Sequence, residues 1–102
     1  MIDERFVTMV GSGVIPSTAC VILVDTNGLP SGAVVVVLPM INSVNNGKTI
    51  IIKRFGPRTV NVIPSIGNIL DTGVNQFSLG SSGAAITLIS NQNTWWRVAS
   101  VT

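Results

Sequence analysis

The sequence predicts an all-β chain: a small antiparallel β-sandwich, jelly-roll-like, of about eight short strands and trimeric in assembly. Three observations carry this. Turn signals rich in Gly and Asn recur along the whole chain at short intervals. Between them lie short runs rich in Val, Ile and Thr, the composition of strands. No segment shows a helical period of useful length: residues 64–71 could form one turn, and Gly67 opposes more.

The runs in order are Phe6–Val10, Ala19–Val24, Ala33–Leu38, Thr49–Phe55, Thr59–Ile63, Gln76–Leu79, Ala84–Ser90 and Trp95–Val101. Punctuating them are Gly11-Ser12-Gly13, the stretch 27–32, Asn45-Asn46-Gly47-Lys48, Gly56-Pro57-Arg58, Ser65-Ile66-Gly67-Asn68, Gly80-Ser81-Ser82-Gly83 and Asn91-Gln92-Asn93. Gly and Asn suit turns that need positive φ, which β-branched residues resist. Thr59–Ile63 and 85–89 alternate apolar and polar, as a strand with one wet face does. In 96–101 the alternation slips around Arg97 and Ser100, which predicts a bend. The runs 21–24, 34–38 and 50–52 are apolar on both faces. A two-layer fold has nothing to cover their outer side, so they are expected to form a face between subunits. Left open, that face would be an aggregation hazard.

Composition limits the chemistry. The 102 residues are expected to make one domain, 1–102, with 46% hydrophobic and only 10% charged residues, where ~25% charged is usual. There is no histidine and one cysteine, Cys20, so no Cys/His zinc cluster, Ser-His-Asp triad or intrachain disulfide can be assembled. A net charge of +2 is too small for a nucleic-acid face. No apolar run approaches the ~20 residues of a bilayer span, and the first five residues carry both signs of charge without a signal-peptide core. No cofactor and no metal are expected, and no enzymatic activity.

The same logic extends to individual side chains. Asp3, Glu4, Asp25 and Asp71 are the only carboxylates, and Asp25 and Asp71 sit beside turns where Asp bonds its own backbone. Lys48, Lys53, Arg54 and Arg58 cluster around what reads as one hairpin, either as solvated strand edges or as contacts for an anionic glycan. Trp95 and Trp96 are consecutive in a strand, so one should enter the core and the other should face out, towards a ligand or a neighbouring subunit. Lys48, Arg58, Trp95 and Trp96 are therefore the candidate receptor or ligand contacts. Cys20, at the head of an apolar run, reads as a small buried hydrophobe.

The order of the motifs carries a resemblance. Val21-Ile22-Leu23-Val24-Asp25-Thr26 leads through a Gly turn to 33–39, then to Asn46-Gly47-Lys48-Thr49-Ile50-Ile51-Ile52-Lys53. Val60-Asn61-Val62-Ile63-Pro64, Gly67-Asn68-Ile69-Leu70-Asp71, Phe77-Ser78-Leu79, Ile86–Ser90 and Asn93-Thr94-Trp95-Trp96-Arg97-Val98 follow. Across residues 19–99 this resembles the C-terminal β-domains of phage tail-fibre proteins and of fibre or spike proteins of other large DNA viruses. Two loops depart from that pattern: Asn91-Gln92-Asn93 stands where Asp-Gly is common, and 54–58 is short where a longer insert is common. The resemblance implies a trimeric β-sandwich head on the virion surface, made in the host cytoplasm and attaching to a host receptor, a glycan among the candidates, with contacts to other virion proteins. It transfers no binding residue. Two alternatives stay open: a capsid-decoration or fibre-capping protein that binds only virion proteins, and a carbohydrate-binding module. The loops expected to face a partner are 27–32, 41–48, 56–58 and 80–83.

Overall fold

The computed structural model describes residues 5–42 and 46–101. Asp3, Glu4 and part of the loop 41–48 lie outside the described residues. The described chain is all-β, with no helix. It has ten strands: β1 Phe6–Met9, β2 Gly13–Val14, β3 Val21–Asp25, β4 Val34–Val37, β5 Thr49–Phe55, β6 Val60–Ile63, β7 Ile69–Leu70, β8 Phe77–Leu79, β9 Ala85–Asn91 and β10 Thr94–Val101.

These strands form two sheets. The larger runs β1-β3-β5-β9-β10-β7 and the smaller β2-β4-β6-β8. From β1 to β8 the chain changes sheet at every connection. Each β-arch therefore turns one coil between the layers, and successive coils stack. The expected antiparallel, jelly-roll pairing is corrected here. β1, β3 and β5 are parallel neighbours, as are β2, β4 and β6, and β7 lies parallel to β10. Among the described residues only β5–β9, β9–β10 and β6–β8 are antiparallel. The architecture is a solenoid-like stack of three coils, closed at its far side by chain reversal.

Register explains why these residues suit the stack. In parallel, in-register coils, equivalent positions lie side by side. Val7, Ile22, Ile52 and Ile86 form one inward row of the large sheet. Val34, Val60 and Leu79 form an inward row in the small one, at the level of Val24 and Arg54. Similar branched side chains repeated at the strand spacing of ~4.8 Å pack without gaps. Ile22, Val24, Ile50, Ile52, Val34, Val36, Val60, Val62, Ile86 and Leu88 are all buried between the layers. The apolar-on-both-sides runs thus have an inner face in the core and an outer face at least partly exposed.

The two ends of the strands differ in their connections. β3 and β5 run up and β4 and β6 run down, so the arches 26–33 and 56–59 share one end with the 80–84 connection. The 38–48 connection and the β9–β10 turn lie at the other. The bend expected near Arg97 is a β-bulge. Arg97 pairs with Leu88 and Ala99 with Thr87, which leaves Val98 as the extra residue. The small sheet stops at β8, so among the described residues no strand faces the inner side of this part of β10. There Arg97 reaches across, its guanidinium carbon 4.7 Å from the centroid of the Phe77 ring. A cation over an aromatic face adds ~0.5–1 kcal/mol at an exposed site.

Candidate functional site

Two surfaces stand out once the coils are built. The first is the arch end. Asp25 terminates β3, and its Oδ1 accepts hydrogen bonds from the backbone and side-chain amides of Asn27, both at 3.0 Å, as an Asx-turn does. Thr26 is buried, and its Oγ1 accepts from the Arg58 amide at 3.1 Å. The Gly56 amide donates to Ser82 Oγ at 3.1 Å, and Arg58 Nη2 donates to the Pro30 carbonyl at 3.0 Å. Gly56 has φ +121°, and a Cβ there would stand 2.5 Å from Thr26 Oγ1. Only glycine lets the two arches approach this closely.

Arg54 lies beneath these arches. Sequence reasoning placed it on a solvated edge or among contacts for an anionic glycan, both of which need it exposed, and the structure buries it at 5% exposure. The reason is register: Arg54 continues the inward set Ile50, Ile52, while its neighbour Lys53 faces out. Nε donates to the Gly56 carbonyl at 3.1 Å and Nη1 to the Leu79 carbonyl at 3.0 Å. Its amide donates to the Ala84 carbonyl, and its carbonyl accepts from the Gly83 amide. A cation at the rim of the core thus ties the 56–59 arch to the 80–84 arch through backbone acceptors. The inward phase of β5 was readable in the alternation of Ile50, Ile52 and position 54, and it is the signal that distinguishes Arg54 from Lys53.

The candidate contacts do not converge. The basic residues do not share a hairpin, because β5 and β6 lie in different sheets. Lys48 precedes β5 and Arg58 follows it, which puts them at opposite ends of a seven-residue strand, about 20 Å apart along its axis. Lys48 Nζ donates to the Ser17 carbonyl at the lower end. Arg58 stands at the arch end, and its Nε is a buried polar atom without a partner among the described residues. Of the four loops expected to face a partner, 27–32, 56–58 and 80–83 meet at the arch end, whereas the described part of 41–48 lies opposite. Asp25 and Asp71 flank β3 and β7, four strand spacings apart or about 19 Å. That is too far to act across one glycosidic bond. Cys20 is only partly buried, just before β3.

The second surface is the outer face of the six-stranded sheet. Trp95 and Trp96 divide as consecutive strand residues must. Trp95 is fully buried, and its Nε1 donates to the Pro39 carbonyl at 3.1 Å. Trp96 is 40% exposed and faces out beside Ile89. Register places Phe6, Val21, Ile51 and Thr87 in one outward row and Thr8, Leu23, Lys53 and Ala85 in the next. Phe55 and Val101, in the same outward phase, add exposed apolar side chains. Among the described residues, the charges on this face are Lys53 in its middle, Asp25 at its upper margin and Arg5 at its lower one, where Arg5 lines a shallow cavity with Phe6, Cys20 and Val21. The face measures roughly 29 Å by 20 Å, or about 600 Å², from six strands at ~4.8 Å spacing and strand lengths at ~3.3 Å per residue. The outer face of the small sheet is narrower and partly polar, with Ser78 Oγ donating to Asn61 Oδ1 at 2.7 Å.

Fold and surfaces together define a two-sheet, solenoid-like β-module with one cross-braced loop end and one apolar sheet face. In comparisons with known proteins, no family model and no curated sequence matches the chain.

Proposed function

We propose that the chain is a non-enzymatic fibre or spike head of a virion surface, held in a homotrimer through the outer face of its six-stranded sheet. In this reading the arch end presents 27–32, 56–58 and 80–83 to a host receptor. Copies held together bind with avidity that one weak site lacks. The motif order of residues 19–99 supports the fibre class, and one structural observation supports the assembly. The outer sheet face combines Phe6, Ile51, Phe55, Trp96 and Val101, all exposed, with little charge. Its overall area of about 600 Å², polar positions included, approaches the ~800 Å² that each partner of a standard interface buries. The braced arches support display: loops fixed to a rigid scaffold are the usual carriers of recognition.

The test is solution mass by light scattering at micromolar concentration. A multiple of three of the 10.7 kDa chain is expected. Ile51→Glu with Trp96→Glu should lower the mass threefold with β-structure retained, because both side chains point away from the core. A wild-type monomer that stays soluble, or a mass that the double variant leaves unchanged, overturns the reading.

A further inference from the structure

The coil stack has two ends, and they are finished differently. At the β7–β8 end the edge strands are two and three residues long and are flanked by Pro64, Asp71, Gly73, Asn75 and Gln76. Short strands and such residues are how proteins blunt an edge against pairing. The β1–β2 end is built differently. From Phe6 to Ile15 there is no charged residue and no proline. The core also runs out to this edge: Val7 and Met9 pack on the buried cluster and are only partly covered.

The backbone at this end is half used. The Val21 amide donates to the Arg5 carbonyl at 2.9 Å, and Phe6 is the partner of Val21. In a parallel ladder that phase turns the N–H and C=O of Val7 towards β3 and those of Phe6 and Thr8 to the open side. The same holds on β2. The Ile15 amide donates to the Val37 carbonyl at 2.8 Å with Val14 opposite Val37, so the polar groups of Val14 face outwards. Phe6 is 51% and Val14 64% exposed.

We propose that this edge pairs with the same edge of a second copy, β1 against β1 and antiparallel, about a two-fold axis through Val7. Two features select a second copy as the occupant. The open groups of Phe6 and Thr8 are two residues apart, so a two-fold at Val7 sets Phe6 opposite Thr8 of the copy and makes both hydrogen-bonded pairs at once. Arg5, the charged residue beside this edge, falls opposite Met9 of the copy about that axis, so the pairing sets no like charges face to face. The axis also brings the two Val7 side chains together on the core side, where each is incompletely covered. The proposal rests on the edge alone and is independent of the sheet face. Where both contacts form, the edge doubles the oligomer that the face makes.

Cross-linking tests the register. A non-hydrogen-bonded antiparallel pair has Cα atoms ~4.5 Å apart, inside the disulfide range of ~4.4–6.8 Å. Val7→Cys in a Cys20→Ala background should form a covalent dimer nearly completely under mild oxidation at micromolar concentration. Ser81→Cys in the same background, at the exposed arch tip, should cross-link at least tenfold less. Thr8→Pro removes an amide that bonds none of the described residues of its own copy, and Thr8→Lys blunts the edge. Either change should abolish the Val7→Cys dimer and halve the wild-type mass, with circular dichroism unchanged. Cross-linking at Val7 no greater than at Ser81, or cross-linking that persists in both Thr8 variants, overturns the proposal. The outcomes separate from those of the fibre-head reading: Ile51→Glu with Trp96→Glu should leave the Val7 disulfide intact, and Thr8→Pro should leave the face-made oligomer intact.

Discussion

Gly56 shows how much one residue can hold in this fold. Its φ of +121° is strained for any side chain, and a Cβ there would also meet Thr26 Oγ1 at 2.5 Å and the Asn27 amide nitrogen at 2.9 Å. Both atoms belong to a neighbouring arch that is itself fixed, because Thr26 Oγ1 accepts from Arg58. Gly56→Ala is expected to cost about 2–4 kcal/mol. At ~4–8 °C per kcal/mol, that lowers Tm by about 8–32 °C in a thermal melt. Gly28→Ala is the control. A Cβ at Gly28 would meet nothing within 4 Å, and its φ is not positive, so the variant should stay within about 0.5 kcal/mol of wild type. Equal effects at the two glycines would refute the close approach. The Trp pair shows what a single position can and cannot disclose. That the two rings part follows from the pleat. Which one enters the core depends on β10 pairing Trp95 with the buried Ser90, a fact of register that the dipeptide does not carry.

Arg54 acts between elements, as a brace from the β5–β6 arch to the β8–β9 arch. Its two side-chain donors serve the carbonyls of Gly56 and Leu79. Arg54→Ala leaves both acceptors without that partner and opens a void, so the two arches should loosen together. Amide hydrogen exchange is the readout. Gly56 and Gly83 should exchange at least tenfold faster, while the Gln92 amide, held by Asn46 Oδ1 at the opposite end, keeps its rate. A uniform acceleration would make the loss global instead of local. Elements are also where sequence reading succeeded and failed. The runs Phe6–Val10, Ala19–Val24, Ala33–Leu38, Thr49–Phe55, Thr59–Ile63, Gln76–Leu79, Ala84–Ser90 and Trp95–Val101 each overlap an observed strand, because alternation and β-branching act locally. The two-residue strands β2 and β7 were not legible, since two residues cannot display a period. Pairing direction was not legible either. A strand alternates in the same way whether its neighbour is parallel or antiparallel, and Gly-Pro-Arg serves an arch between sheets as well as a hairpin within one. That ambiguity put Lys48 and Arg58 together in the sequence and about 20 Å apart in the molecule.

At the scale of the molecule, apolar area separates the two surfaces. The outer sheet face sets Lys53, with Asp25 and Arg5 at its margins, among exposed apolar side chains, whereas the arch end is polar and carries Asp25 and Arg58. Association through the sheet face should therefore survive 0.5 M NaCl, where charges are screened beyond ~4–5 Å, and strengthen in sulfate. Dissociation in salt would move the contact to the arch end. Braced coils have a further consequence, for change over time. The ladders fix each coil to its neighbours, and Pro30 is held by Arg58, but Ser31 and Gly32 are exposed at the tip of their arch. Added length there touches no ladder and no core side chain, and doubling a loop costs only ~0.6 kcal/mol of closure entropy. The scaffold can thus hold its shape while that tip drifts in sequence and size, a division of labour in which the invariant part is the stack and the variable part is a graft.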